Sequence, residues 1–282
     1  MARAVTRAKA LGGSPVAVTF DPHPLKVLRP SKAPLLLSSL KERLLLFKQA
    51  RVPAARVLPF NRAFSRWSPE EFARRFLVER LRVREVVVGH DFRFGANRAG
   101  TTDTLRELGS RYGFRVWVIP PVRVLGERVS SRRIRELIAR ADLKRAARML
   151  GRPVQVAGRV IRGSGRGAQI GFPTANLKVE SGLLPPIGVY AVYGQIGSHR
   201  YGGMANIGFR PTFQKMRGAP LLEVHLFCLR RSLYGRTLKV FFVRRLRPER
   251  RFPSAESLRR RLHRDALQAK RCLPSLSRGK RW

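Results

Sequence analysis

Residues 158–177 read GRVIRGSGRGAQIGFPTANL, a basic glycine-rich loop running into a rigid Phe172-Pro173-Thr174-Ala175-Asn176 turn. Gly158, Gly163, Gly165, Gly167 and Gly171 carry no Cβ, so backbone amides can approach an anion closely and converge on it. Arg159, Arg162 and Arg166 add guanidinium groups that match phosphate oxygens. Thr174 and Asn176 then offer a hydroxyl and an amide carbonyl, hard oxygen donors of the kind Mg²⁺ takes alongside a nucleotide's own phosphates. The spacing is not the GxxxxGK[ST] of the common phosphate loop. On composition alone, a flexible surface loop remains the plainer reading.

The pattern of the chain changes just ahead of this stretch. Up to about Ile138, strand-like segments (Val16–Phe20, Arg56–Phe60, Glu85–Gly89, Arg115–Ile119) alternate with helical ones (Ser39–Ala50, Ser68–Leu81, Thr101–Tyr112), and Ala2–Leu11 reads as a further helix. Ser68-Pro69-Glu70-Glu71 supplies a cap, a first-turn proline and two first-turn acids. Such alternation predicts a Rossmann-like parallel sheet with helices on both faces and ligands at the carboxyl ends of its strands. A short helix, Leu143–Leu150, closes at Gly151. From there Gln155–Ile161, Gly188–Ile196, Tyr201–Ile207, Leu221–Leu229 and Thr237–Leu246 read as antiparallel strands of a small closed barrel. A last helix, Ser254–Lys270, is capped by Ser254 and presents Leu258, Leu262 and Leu267 to that barrel. The expected domains are therefore an α/β unit over 1–140, a β-barrel over 151–272, and a basic, disordered tail over 273–282.

With 282 residues, 44% of them hydrophobic, the chain can bury two cores. No apolar run is long enough to span a bilayer and Met1-Ala-Arg-Ala lacks the apolar core of a signal peptide, so a cytoplasmic protein is expected. Cys228 and Cys272 are its two cysteines, with no CxxC or Cys/His pairing that would indicate zinc or a disulfide framework. Cys228 reads by default as a small buried or half-buried thiol. Lys and Arg number 59 against 17 Asp and Glu, a formal net charge of +42. Such a balance predicts non-specific, salt-sensitive polyanion binding, and it supports the alternative of a nucleic-acid-binding protein on a decayed enzyme scaffold. Against that alternative, the arginines are scattered through every segment instead of gathering on one face with interleaved aromatics.

The word from Ile170 to Leu177 closely resembles the signature of the riboflavin kinases. That resemblance implies phosphorylation of riboflavin to FMN by ATP and Mg²⁺, with Thr174 and Asn176 at the metal and Gly163, Gly165, Arg166 and Gly167 at the phosphates. In Leu221–Phe227, alternation puts Glu223 and His225 on one face and Leu222, Val224 and Leu226 on the other. A strand Glu is by itself most often solvent-facing. The ExHLF word followed by Leu233-Tyr234-Gly235 is similar to the family segment that carries the catalytic glutamate, which implies a base at Glu223. Met204–Phe213 resembles a family segment beside the flavin, and Asn206, Phe209 and Phe213 are its candidate flavin contacts; a Gly-Pro turn with core aromatics reads equally well.

The first half resembles the FMN adenylyltransferase module of bacterial bifunctional FAD synthetases, through Thr19-Phe20-Asp21-Pro22-His23-Pro24, Gly89-His90-Asp91-Phe92-Arg93-Phe94-Gly95 and Val129-Ser130-Ser131-Arg132-Arg133-Ile134-Arg135. It implies site roles for His23, Asp91, Phe92, Ser130, Ser131 and Arg135. A helix start bearing two hydroxyls, with Arg135 one turn on, makes sense as an anion seat, although a simple N-cap is the plainer reading of the serines. Members of that family open with a first strand and a GxFDGxHxGH loop, which has no counterpart ahead of Ala17. Loss of that strand would expose a sheet edge. The resemblance therefore implies impaired FAD formation beside intact riboflavin phosphorylation.

Overall fold

Parallel strand pairs appear where the first half alternates, in a computed structural model that describes residues 1–163, 165–181, 183–209, 221–229 and 232–273. The chain divides into two compact units, Met1–Pro34 with Leu40–Arg128, and Leu35–Ser39 with the chain from Val129 onward.

In the first unit, α1 (Ala2–Ala10) leads into β1 (Val16–Asp21), which pairs in parallel with β2 (Ala54–Pro59). Helices α2 (Pro24–Leu28) and α3 (Leu40–Gln49) connect them. After α4 (Arg62–Ser65), Ser68 closes a capping box with Glu71 on α5 (Pro69–Glu71). The helix expected over 68–81 continues there as a π-helix, Phe72–Arg80. Its wider turn suits the spacing of the buried Phe72, Phe76 and Leu77. β3 (Glu85–Gly89) then pairs in parallel with β4 (Arg115–Ile119) through α6 (Thr102–Tyr112), and β5 (Arg123–Val124) and β6 (Glu127–Arg128) form a small hairpin.

The single parallel sheet expected from sequence is thus two separate two-stranded sheets. Among the described residues β1 pairs only with β2 and β3 only with β4, and both edges line a cavity of about 760 Å³ through Val16, Val18, Val86 and Val88. Val16 and Val18 remain 44% and 39% exposed, because no neighbouring strand covers that edge. The pairs still share one core, in which Phe72, Phe76, Leu77 and Leu105 pack under Phe20, Val86 and Val88.

The second unit opens with α7 (Ser131–Ala139) and α8 (Leu143–Leu150), the latter stopped by Gly151 in the left-handed region at φ 68°. Its barrel comprises β7 (Val154–Ile161), β8 (Ala175–Ser181), β9 (Gly188–Ile196), β10 (His199–Gly208), β11 (Leu221–Leu226) and β12 (Thr237–Arg247). The strands close in the order β10-β11-β8-β7-β12-β9, each contact antiparallel. A four-residue helix, α9 (Arg166–Gln169), sits in the loop between β7 and β8.

Sequence reading did not separate β8 from the turn before it. Ala175-Asn176-Leu177-Lys178-Val179 is polar enough to read as loop, and only closure of the barrel recruits it. Strand β11 stops at Leu226, short of the expected Leu229, and Cys228 is exposed in the following turn at φ 59°, not buried.

The last helix, α10 (Ala255–Cys272), starts at the expected cap, Ser254. Leu267, expected to face the barrel, is 58% exposed. Leu262, Ala266 and Ala269 pack instead with Phe172, Ala191 and Met204. This face also buries Asp265, whose carboxylate accepts from Arg247 Nε at 2.8 Å and Arg261 Nε at 2.9 Å. Two guanidinium partners allow an acid into the helix–barrel interface, turning Leu267 outward. Of the tail expected over 273–282, Leu273 packs against the cluster of Phe172, Ala191, Met204 and Ala269, and residues 274–282 lie outside the described residues. No described helix is long and apolar enough to cross a membrane.

Candidate functional site

One mouth of the barrel opens into a cavity of about 770 Å³, a volume that suits small-molecule ligands. Its lining gathers Arg162, Gly163, Arg166, Gly167, Thr174 and Asn176 from the β7–β8 loop and β8, Asn206 and Gly208 from β10 with Phe209 just past its end, and Glu223 and His225 from β11. Arg247, Glu249, Arg250, Phe252, Leu258 and Leu262 are also among its lining residues. Four arginines against two glutamates leave this lining cationic, which favours a phosphate-bearing ligand.

Strand alternation sets which side chains enter. On β11, Leu222, Val224 and Leu226 are buried at 0%, 1% and 6% exposure, while Glu223 and His225 are half-buried and face the cavity. Glu223 stands opposite Asn176 of β8 on one side and opposite Asn206 of β10 on the other. Asn176 is 4% exposed, and neither its Oδ1 nor that of Asn206 meets a hydrogen-bond donor among the described residues. A buried carbonyl oxygen left in this state costs about 1–3 kcal/mol unless a ligand satisfies it. Asn206 Nδ2 donates to Glu249 Oε1 at 3.3 Å.

The glycines divide by role. A Cβ on Gly163 would overlap the Asn176 amide, so this position must stay bare for that amide to hold its place. Gly158 is not part of the loop: it lies in β7, where a Cβ would meet the Lys178 carbonyl oxygen at 2.6 Å beside a bulge in the β7–β8 ladder. Gly165 caps α9 and is not among the lining residues. Phe209 is 53% exposed at the cavity mouth, and Phe213 falls outside the described residues. Sequence reading missed Glu249, Arg250 and Phe252. They follow a strand end with no recognisable word, and only their packing reveals them: the Phe252 ring lies under the guanidinium groups of Arg247 at 5.5 Å and Arg250 at 4.8 Å.

The bifunctional riboflavin kinase/FMN adenylyltransferase of Pseudomonas fluorescens is 39% identical over 276 residues, 96% of this chain and 86% of its own length. That of Escherichia coli (strain K12) is 38% identical over 256 residues, 90% of this chain and 81% of its own. The chain belongs to the bifunctional riboflavin kinase/FMN adenylyltransferase family. The family models divide it in two, riboflavin kinase matching residues 150–273 and FAD synthetase matching residues 1–133. The crystal structure of a macrolide-efflux protein from Streptococcus pneumoniae is similar over 96% of this chain and 88% of its own, with a TM-score of 0.83 at 28% identity.

The remaining sequence-predicted residues are divided between the two units. His23 caps α2, its Nδ1 accepting from the Leu25 amide at 3.2 Å. Asp91 pairs with Arg128, and Phe92 stacks on Phe94 at 5.4 Å. Ser130, Ser131 and Arg135 belong to the second unit. Ser130 Oγ caps α7 by accepting from the Arg133 amide at 3.1 Å, and Arg135 Nε donates to the Leu35 carbonyl at 2.8 Å. Burial lowers the Arg135 pKa from its ordinary value.

Proposed function

We propose that the barrel phosphorylates riboflavin to FMN at the expense of ATP, in the cytoplasm, with Glu223 as the base and Thr174 and Asn176 as the protein's oxygen donors to Mg²⁺. The observation that carries this reading is the row Asn176–Glu223–Asn206 across three adjacent strands, facing a cationic cavity behind a glycine-rich loop. The buried, unsatisfied Asn176 Oδ1 has the hardness and setting of a divalent-cation donor, and Thr174 lines the same wall. When bound with the nucleotide, Mg²⁺ supplies charge neutralisation at the phosphates.

The protein's own part is positioning. Arg162, Arg166 and the loop amides hold the triphosphate, and the other wall, with Phe209, Phe252, Leu258 and Leu262, takes the apolar ring system of the flavin. The terminal ribityl hydroxyl is thereby directed toward Glu223. Its oxygen forms the new bond to the γ-phosphorus as the β–γ bridging P–O bond breaks; ADP leaves and the hydroxyl proton passes to the carboxylate.

Incubation with riboflavin and ATP, with and without Mg²⁺, followed by chromatographic separation of riboflavin, FMN and FAD, tests the reading. Mg²⁺-dependent FMN is the expected product. No FMN at any magnesium concentration would refute the proposal, and an FAD peak would report adenylyl transfer in the same run.

A further inference from the structure

The ladder between β11 and β8 ends early. It pairs Leu222 with Leu177, Glu223 with Asn176 and Val224 with Ala175, and then stops. One more step would place His225 opposite Thr174, but no backbone pairing continues there. The side chain of His225 takes over that connection: its Nδ1–H donates to the Pro173 carbonyl oxygen at 2.8 Å. A carbonyl only accepts, so the bond fixes the imidazole with its proton on Nδ1.

The ring is fixed from its sides as well. Phe172 meets it edge-to-face at 5.3 Å and Phe227 at 5.7 Å, while Phe172, only 6% exposed, is held in turn by His263 of α10 at 4.9 Å. Thr174 is therefore bracketed between the last ladder pair, at Ala175, and a carbonyl anchored by an immobilised imidazole.

We infer that His225 is a positioning residue for the phosphate and metal seat: by tethering Pro173 it holds the Thr174 hydroxyl at the cavity wall, while Glu223, two residues earlier on the same strand face, does the acid–base work. The inference rests on the kinase reading of the cavity, and it assigns His225 to the nucleotide side instead of the flavin side.

Three variants of the full chain separate donor from ring. His225→Phe keeps the aromatic packing and removes the donor; His225→Gln moves the donor to the far ring nitrogen's position; His225→Asn keeps an N–H near Nδ1. The readouts are the KM values for Mg·ATP and riboflavin, and the Kd of Mg·ADP by calorimetry. His225→Phe and His225→Gln are expected to raise the Mg·ATP KM and the Mg·ADP Kd about tenfold, the scale of one lost hydrogen bond, with the riboflavin KM steady within about twofold. His225→Asn is expected to restore most of the loss. Should His225→Phe fail to fold, His225→Gln against His225→Asn carries the same comparison.

Wild-type-like Mg·ADP affinity in His225→Phe and His225→Gln, or equal damage to both substrates, overturns the inference while FMN formation by the wild type leaves the kinase reading standing. A wild type that binds Mg·ADP and makes no FMN refutes the kinase reading, and the calorimetric comparison still decides the role of His225. A wild type that neither binds Mg·ADP nor makes FMN removes both.

Discussion

Glu223 and Asn176 face each other directly across the β11–β8 ladder. Directly opposed residues hold their Cβ atoms about 4.5–5.5 Å apart, so a carboxylate and an amide oxygen meet at one wall of the cavity without help from any loop. Strand register is rigid, which makes the pair a preorganised one. Glu223→Gln keeps the volume and removes the proton acceptor; kcat for FMN formation is expected to fall about 10²–10⁴-fold with both KM values nearly kept. A smaller loss than about tenfold, measured by chromatography of FMN on a variant with an unchanged melting temperature, would move the base elsewhere.

Gly163→Ala tests the other side of the same amide. The added methyl would overlap the Asn176 side chain, which has β7 and β11 on either side and little room to yield. Overpacking of this kind costs about 1–3 kcal/mol. The magnesium concentration for half-maximal FMN formation is expected to rise, together with a lowered melting temperature. A variant with unaltered magnesium dependence would detach the loop from the metal seat.

Much of this site was legible because its determinants are local. Period-two alternation placed Glu223 and His225 on one face, and the glycine-rich loop pointed to a phosphate seat. What escaped depended on closure. Strand β8 forms because two neighbouring strands pair with it, not because ANLKVES has strand propensity. Leu267 fitted a helical stripe, yet the orientation of α10 is set by Asp265 between Arg247 and Arg261, an ion cluster joining positions 18 residues apart. Phe252 and Glu249 enter the cavity only because the chain doubles back after β12. In the first unit, alternation gave the strands and their parallel sense, but not the unpaired edges of β1 and β3.

Those edges make a kinetic prediction. Strand amides without a ladder partner are protected only by local packing, so hydrogen exchange in β1 and β3 is expected to be faster than in β9, whose residues are almost all buried and paired on both sides. Exchange measured by mass spectrometry on peptides covering 16–21 and 85–89 checks this; protection equal to that of 188–196 would mean the edges are covered in solution.

The pH dependence of stability should carry a His225 signature. Burial holds its imidazole below the usual histidine pKa, the Pro173 carbonyl opposes that shift, and Lys270 adds to it. Lys270 on α10 is the charge that acts on it, Glu223 lies two residues earlier on its own strand, and His263 of α10 packs on the far side of Phe172. The folded state favours the neutral ring, so the unfolded chain takes up the proton first as pH falls through about 6.5. The contribution is complete above that pH, declines toward the folded value, and levels off below it. Melting temperatures between neutral and mildly acidic pH should therefore fall less steeply in His225→Asn than in the wild type, and superimposable profiles would contradict the assignment.

Asp265 is the strongest stability test in the second unit. Its side chain is fully buried at 0% exposure, and Arg247, 9% exposed, reaches it with Nε and Nη2, each at 2.8 Å. Removing the acid strands a guanidinium in the interface between α10 and the barrel. Losing one partner of a buried pair costs about 3–5 kcal/mol, chiefly through the charge left behind. Leu267→Ala, two residues on and exposed, should stay within about 0.5 kcal/mol of the wild type. Paired chemical denaturation of Asp265→Ala and Leu267→Ala distinguishes this helix orientation from the leucine stripe read off the sequence. Were Leu267→Ala the more damaging, α10 would have to be rotated so that the leucine, not the acid, meets the barrel.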